Sequence, residues 1–279
     1  MTRPQEFEEL RPLLFAIAYR ILGSVSEAED AVQQTWLRYE ASPMQPTSTK
    51  SFLSAVVTRI SIDVLRSARR RREEYVGTWF PEPLLTDPYE DPERSAELAD
   101  SVSMAALVLL ERLTPPERAV FVLREVFGFG YPEIASAVGR SEAACRQLAV
   151  RARRHVNAPR PRFEADRRER ETLAERFFVA FREGEVDGLR ELLAADVQLV
   201  GDSGGKAPQW GSGIFGVENV VRVVAAFVAP FARIGVVVEP HEVNGQPGAI
   251  FRDRDGKVVN TMALDVLDGR IQTIRAVLN

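Results

Sequence analysis

The sequence predicts a multidomain chain of two all-α modules followed by an α+β domain, with helices first and a curved, largely antiparallel sheet after them. Three observations predict it. Apolar residues recur at helical spacing from residue 6 to about 72, and a second helical run opens at Thr114 and closes near Val156. Beyond "NAPRPRF" the composition changes to short strand-like runs separated by Asp-Gly pairs.

The elements follow in order. "FEELRPLLFAIAYRILG" reads as a helix closed by Gly23, where a residue tolerating positive φ ends it at little cost. Ser26 is the expected cap of "SEAEDAVQQTWLRYE", with Glu27, Glu29 and Asp30 near the positive end of the helix dipole. The loop "ASPMQPTSTK" is too rich in Pro, Ser and Thr to continue that helix. From Ser51 to about Arg72, Phe52, Leu53, Val56, Val57, Ile60 and Val64 form one helical face, while Arg59, Asp63, Arg66 and Arg70 fall on another. This gives one side for a core and one for an anionic partner or for solvent.

In the second module, Thr114 and Glu117 form a capping box with Pro115 at the first helical position. A short helix from Pro132 to Val138 stops at Gly139, and Ser141 caps another that runs to Val156, the form of a helix-turn-helix. On the last helix Cys145, Leu148, Ala149, Ala152 and Val156 pack inward. Ala143, Gln147, Val150, Arg151 and Arg154, flanked by Arg146, face out. Gln and Arg address base edges and further arginines hold phosphates, which suits a recognition helix. Cys145 on the inward side reads as a small core residue.

The third module opens with an amphipathic helix carrying Leu173, Phe177, Phe178 and Phe181. The runs "DVQLV", "IGVVVEPHEV", "GAIFRD", "KVVNTMALDVL" and "RIQTIRAVL" follow, with hairpin turns at Asp255-Gly256 and Asp268-Gly269. The expected boundaries are 1–75, a linker at 76–100, 101–158 and 163–279. The linker begins with "GTWFPEPLL", where Pro81 and Pro83 forbid a helix, so Trp79, Phe80 and Leu84 need a partner surface. That surface is either the end of the first module or the C-terminal domain.

Composition limits the function. The apolar fraction of 45% over 279 residues suits two or three globular modules, and no apolar run approaches the ~18 residues of a membrane span. No secretory signal pattern opens the chain, so a cytoplasmic protein without membrane partners is expected. One cysteine and two histidines make metal and disulfide chemistry poor readings, and no metal or cofactor is expected. The net charge of −4 argues against a uniformly basic nucleic-acid binder, but the arginines are clustered and the clusters are separated by the acidic "TDPYEDPERSAELAD". Two arginine faces joined by an acidic linker can hold two separated sites on one DNA.

With these residues in hand, the chain resembles the extracytoplasmic-function sigma factors of bacterial RNA polymerase. "GSVSEAEDAVQQTWLRY" and "FLSAVVTRISIDVLRSARRRR" resemble region 2, a helical bundle. "LTPPERAVFVLREVFGFGYPEIASAVGRSEAACRQLAVRARR" resembles region 4, the helix-turn-helix. Residues 163–279 resemble the SnoaL-like, NTF2-like α+β cone. Sigma factors with that extension share a W-x-P-E-P linker and a D-G-G-G-K segment, which stand here as "WFPEP" (Trp79, Phe80, Pro81, Glu82, Pro83) and "DSGGK" (Asp202, Gly204, Gly205 and Lys206, with Ser203 in place of a glycine). Many such proteins continue with an N-P-D-K-L-like tail, whereas this sequence stops at Asn279.

The resemblance implies a monomeric initiation subunit whose partners are core RNA polymerase, through the β′ clamp helices and the β flap, and promoter DNA. Asp30, Gln33, Gln34 and Trp36 would meet the polymerase, with core packing as the other reading of Trp36. Lys50 and the loop before it, with Arg59, Arg66 and Arg70, would lie along the melted minus-ten element. Arg59 stands where the family often has Asn, so base or phosphate contact is open there. Arg146 and Gln147 are the base-edge candidates at the minus-thirty-five element, with Arg140, Ser141, Arg151 and Arg154 beside them. The fused domain is expected to regulate in cis, with the WFPEP segment docking near Asp202 to Lys206.

The alternative is a helix-turn-helix regulator whose C-terminal domain senses or turns over a small apolar ligand. His241, Asp202 and Asp265 are the acid–base candidates by residue type. No catalytic residue is assigned and the chain is expected not to be an enzyme.

Overall fold

Two arginines on otherwise apolar helical surfaces, Arg20 and Arg118, are fully buried, and the helical modules are assembled around them. The structure is a computed structural model describing residues 2–43, 45–72, 80–89, 101–156, 167–202 and 213–278. These fall into two units: 2–72 with 87–156, and 80–86 with 167–278. Residues 80–86 thus belong with the C-terminal part of the chain, although in sequence they sit between two pieces of the first unit.

In the first unit, α1 (Arg3–Leu22), α2 (Val25–Glu40) and α3 (Thr49–Arg72) pack on one another. The run from Leu13 to Leu22 is buried all round, as its nearly uniform apolar composition requires. Gly23 closes α1 at φ 72°, and Ser24, not Ser26, caps α2. The Ser24 hydroxyl accepts from the Glu27 amide at 3.3 Å, and Ser26 lies within the helix with its hydroxyl 3.0 Å from that of Ser24. The cap belongs to the serine with extended backbone, one residue before the helix starts. On α3, Leu53, Val56, Val57 and Ile60 are buried and Arg59, Asp63 and Arg66 are exposed.

The rest of this unit is α4 (Met104–Leu110), α5 (Pro115–Phe121), a π-helical turn Val122–Val126, α6 (Tyr131–Val138) and α7 (Glu142–Val156). The capping box at Thr114 is formed, with Glu117 Oε2 accepting from the Thr114 amide at 3.1 Å and from its hydroxyl at 2.7 Å. Gly139 turns α6 into α7 at φ 67°, and Ser141 Oγ accepts from the Ala144 amide at 3.2 Å. Cys145, Ala149, Ala152 and Val156 are buried, and burial raises the Cys145 thiol above its ordinary pKa. α6 packs on α3, so the helix-turn-helix and the three-helix bundle share one core.

Arg20 and Arg118 join these helices. Arg20 donates to the Ser101 hydroxyl and to Asp87, each at 2.9 Å, and its guanidinium lies 5.5 Å from the Phe127 ring centre. Arg118 donates to the Arg20 carbonyl at 2.9 Å and to Glu111 at 2.6 Å.

In the second unit α8 (Arg167–Glu183) and α9 (Val186–Leu192) precede a six-stranded sheet: β1 (Leu193–Asp202), β2 (Ile214–Phe215), β3 (Val237–Val243), β4 (Gln246–Arg252), β5 (Val258–Leu267) and β6 (Arg270–Leu278). A third helix, α10 (Val217–Ile234), lies between β2 and β3, so the helices do not all come first. The order is β2-β1-β6-β5-β4-β3 and every pair is antiparallel except β1–β6. Those two strands are joined by the rest of the domain and no hairpin fixes their sense. Phe177, Phe178 and Phe181 of α8 pack with Phe251 of β4, to which Phe231 of α10 also presents its ring edge at 5.7 Å. The turn Asp268-Gly269 has both residues at positive φ, and so does Asn244-Gly245 between β3 and β4.

Replacing Arg118 by Ala removes its bonds to the Arg20 carbonyl and to the partly exposed Glu111 carboxylate. The expected cost is about 3 kcal/mol, read as a drop of roughly 5–10 °C in the melting of the helical unit.

Candidate functional site

The WFPEP segment and the C-terminal sheet meet within the second unit. Phe80, Pro81 and Leu84 are buried. The Phe80 amide donates to Asp202 Oδ2 at 3.0 Å, at the end of β1. Leu84 exchanges two bonds with Asn244: its amide donates to Asn244 Oδ1 at 2.9 Å, and its carbonyl accepts from the Asn244 amide at 2.8 Å. His241 Nε2 lies 3.1 Å from the Leu85 carbonyl, and since a carbonyl only accepts, that nitrogen carries the proton. The segment therefore runs from the end of β1 to the β3–β4 hairpin, three positions or more across the sheet order. Prolines at 81 and 83 keep it extended, which leaves its amides free for these partners.

Asn244 was not singled out from sequence, and neither was the turn that carries it. The signal was present: Asn-Gly between two strand-like runs is a strong hairpin signal, and Asn tolerates the left-handed backbone found here at φ 54°. Trp79, Gly204, Gly205 and Lys206 lie outside the described residues. Glu82 is exposed and Pro83 half-buried.

The three acid–base candidates are placed apart. His241 is on β3 and Asp202 on β1, at opposite sides of the sheet order. Asp265 on β5 is buried beside Arg275 of β6, with which it pairs; burial pushes its carboxyl above the ordinary range, against the pull of that guanidinium. None of the three lines the apolar cavity between sheet and helices, which is bounded by Phe181, Phe227, Phe231, Asn260 and Met262 among others. At about 20 Å³ that cavity has room for roughly one water molecule.

In the first unit three of the four polymerase candidates, Asp30, Gln33 and Trp36, line one groove, and Gln34 does not. Asp30 and Gln33 line it with Phe7, Glu8, Arg11 and Trp36, and its volume is about 350 Å³. Asp30, Gln33 and Gln34 are exposed. Trp36 is half-buried, its ring centre 5.1 Å from that of Phe7, so it has one packed side and one side at the groove.

The nucleic-acid candidates divide into two groups. On α3, Arg59 reaches α6 and Lys50 reaches the loop just before it, while Arg66 stays on its own helix. Arg59 donates to the Ser136 carbonyl of α6 at 2.5 Å, the Ser51 hydroxyl donates to Glu133 at 2.8 Å, and the Lys50 ammonium lies 5.8 Å from the Phe129 ring centre. Arg66 pairs with Asp63 at 3.3 Å, and the Arg70 side chain lies outside the described ones. Those on and before α7 point outward: Arg140, Ser141, Arg146, Gln147, Arg151 and Arg154 are all exposed. Arg146 pairs with Glu142 at 2.9 Å, and Arg151 lies 3.8 Å from Glu117.

The comparisons with known proteins carry the same division. Residues 7–71 match Sigma-70 region 2 and residues 103–156 match Sigma-70, region 4. The ECF RNA polymerase sigma factor SigJ of Mycobacterium tuberculosis is 41% identical over 225 residues, which is 80% of this chain and 72% of that protein. The chain belongs to the ECF sigma factors. A second relative, the probable ECF sigma factor SigI of the same species, is 30% identical over 96% of this chain and 90% of its own length. The crystal structure of the M. tuberculosis SigJ superposes with a TM-score of 0.75 and 34% identity, covering 99% of this chain and 96% of that one. The ECF protein described here therefore pairs region 2 and region 4 with a C-terminal α+β domain, and acts with RNA polymerase in promoter-directed initiation. Among its described residues, no helix is long and apolar enough to cross a membrane.

Asp202 is the buried acceptor at one end of the docked segment. Asp202→Ala leaves the Phe80 amide unpaired, and we expect the second unit to lose about 1–3 kcal/mol, measured as a lower urea midpoint for that unit.

Proposed function

We propose that the two arginine-bearing faces of this sigma factor contact separated promoter elements, and that the fused SnoaL-like domain restrains them in cis by holding residues 80–85. The observation that carries this reading is the double exchange between Leu84 and Asn244, together with the Phe80–Asp202 bond. These bonds tie to the fused domain the only stretch of chain between region 2 and region 4. A domain on the same chain acts at high effective concentration, so bonds that would be weak between separate proteins suffice.

Restraint, rather than assistance, is favoured by the first unit. Two of the four α3 residues assigned to the melted strand face the second helical module: Arg59 donates to the Ser136 carbonyl of α6, and Lys50 lies against the Phe129 ring just before it. DNA has to displace those contacts. The outward residues of α7 then read the second element, with Arg146 and Gln147 at base edges and Arg140, Arg151 and Arg154 at phosphates. The groove between α1 and α2, edged by Asp30, Gln33 and Trp36, receives the clamp helices of the polymerase, and region 4 meets the flap.

Run-off transcription with core polymerase tests the cis control. A chain ending near Asn157 gives more transcript than the full chain, and Asn244→Ala raises the output of the full chain alone. Less transcript from both would make the domain an assistant, and no change would remove the coupling. At the second element, Arg146→Ala costs about 1–3 kcal/mol of promoter-selective binding; an equal loss on scrambled DNA would reassign Arg146 to a phosphate.

A further inference from the structure

Two guanidinium groups converge on one aromatic ring in region 4. The ring centre of Tyr131, the first residue of α6, lies 5.0 Å from Arg124 Cζ and 4.9 Å from Arg146 Cζ. Both distances are inside the ~6 Å range of cation–π attraction. The three residues come from three elements. Arg124 is in the π-helical turn and is fixed there by donating to the Phe129 carbonyl at 3.0 Å. Arg146 is in the second turn of α7 and pairs with Glu142, one turn earlier on the same helix.

We propose that Tyr131 is a positioning residue for promoter recognition, and that its ring, backed by Arg124, holds the Arg146 guanidinium ready for DNA. This rests on the assignment of Arg146 as a base reader. The physical case is entropic. An arginine side chain is among those that lose the most rotamer freedom when they are ordered. The Arg146 side chain is 56% exposed, so solvent and Glu142 alone leave it much of that freedom. An aromatic face that already restrains it lowers the cost of ordering at the moment of binding. The π-helical turn supports the same arrangement, because its extra residue per turn re-aims the side chains beyond Phe121, and Arg124 is in that turn. Glu142 adds direction: its carboxylate is repelled by a phosphate backbone, so the Arg146–Glu142 pair loosens as DNA approaches while the ring contact stays.

The test uses the full chain with core polymerase. Probes are duplexes enriched from a randomised library by the unaltered holoenzyme, and the unselected pool; the readout is the ratio of affinities for the two. Tyr131→Ala and Tyr131→Leu should each lower that ratio roughly 3- to 10-fold with little change on the unselected pool, whereas Tyr131→Phe, which keeps the ring, retains it. In an Arg146→Ala background Tyr131→Leu should have no further effect. A Tyr131→Leu loss that persists in that background, or a Leu variant as selective as the original, overturns the proposal. If Arg146→Ala alone leaves the ratio unchanged, the base-reading assignment fails first, and the positioning role falls with it; that outcome is recognised by the Arg146 variant, without reference to Tyr131. Tyr131→Leu keeps apolar volume at the site, so a loss shared by Leu and Ala is separated from a folding defect by their common melting temperature.

Discussion

The desolvation of two guanidinium groups is the constraint on which the helical half of this protein depends. A charge removed from water costs several kcal/mol unless its hydrogen bonds are replaced in good geometry. Arg20 and Arg118 are both at 0% exposure. Their partners come from different parts of the chain: Asp87 and Ser101 for Arg20, Glu111 and the Arg20 carbonyl for Arg118. Apolar packing alone tolerates small slips between helices, but bonds of this kind do not. Region 2 and region 4 are thus held in one register, in which α3 and α6 share contacts that use Ser51 and Arg59.

The second unit obeys a different rule. Helices pack their phenylalanines against its sheet, and the apolar cavity bounded by Phe181, Phe227 and Phe231 is about the size of a water molecule. What distinguishes this domain is at the strand ends. Asp202 at the end of β1 and the Asn244 turn receive an extended segment whose own prolines stop it from satisfying its amides in a helix. The chain enters this unit for a few residues, leaves it at Asp87, and returns after region 4. A linker used in this way is a structural part of the fused domain as well as a connection between the DNA-binding regions.

The sequence by itself determined most of the long elements and several caps, but not α4, the π-helical turn, α9, β2 or the 18-residue α10. Helical periodicity placed Leu53, Val56, Val57 and Ile60 of α3 and Cys145, Ala149, Ala152 and Val156 of α7 inward, with Phe52, Val64 and Leu148 only half-buried; the Thr114–Glu117 box marked the start of α5, and the proline-framed "WFPEP" demanded a partner surface. These are local effects, set by spacing of a few residues and by the backbone preferences of Gly, Pro, Ser and Asn. At the start of α2 two serines stand in range of the cap, and only the extended backbone at Ser24 separates it from Ser26.

Tertiary structure decided what local rules cannot reach. It made β1 and β6 parallel, since strands joined through a whole domain have no turn to fix their sense. It buried Arg20 and Arg118, whose partners lie far off in the chain. It brought Leu84 to Asn244 across 160 residues and set Tyr131 between Arg124 and Arg146. In each case the deciding energy is a pairing between groups distant in sequence, and periodicity along one segment carries no record of which distant group will meet it.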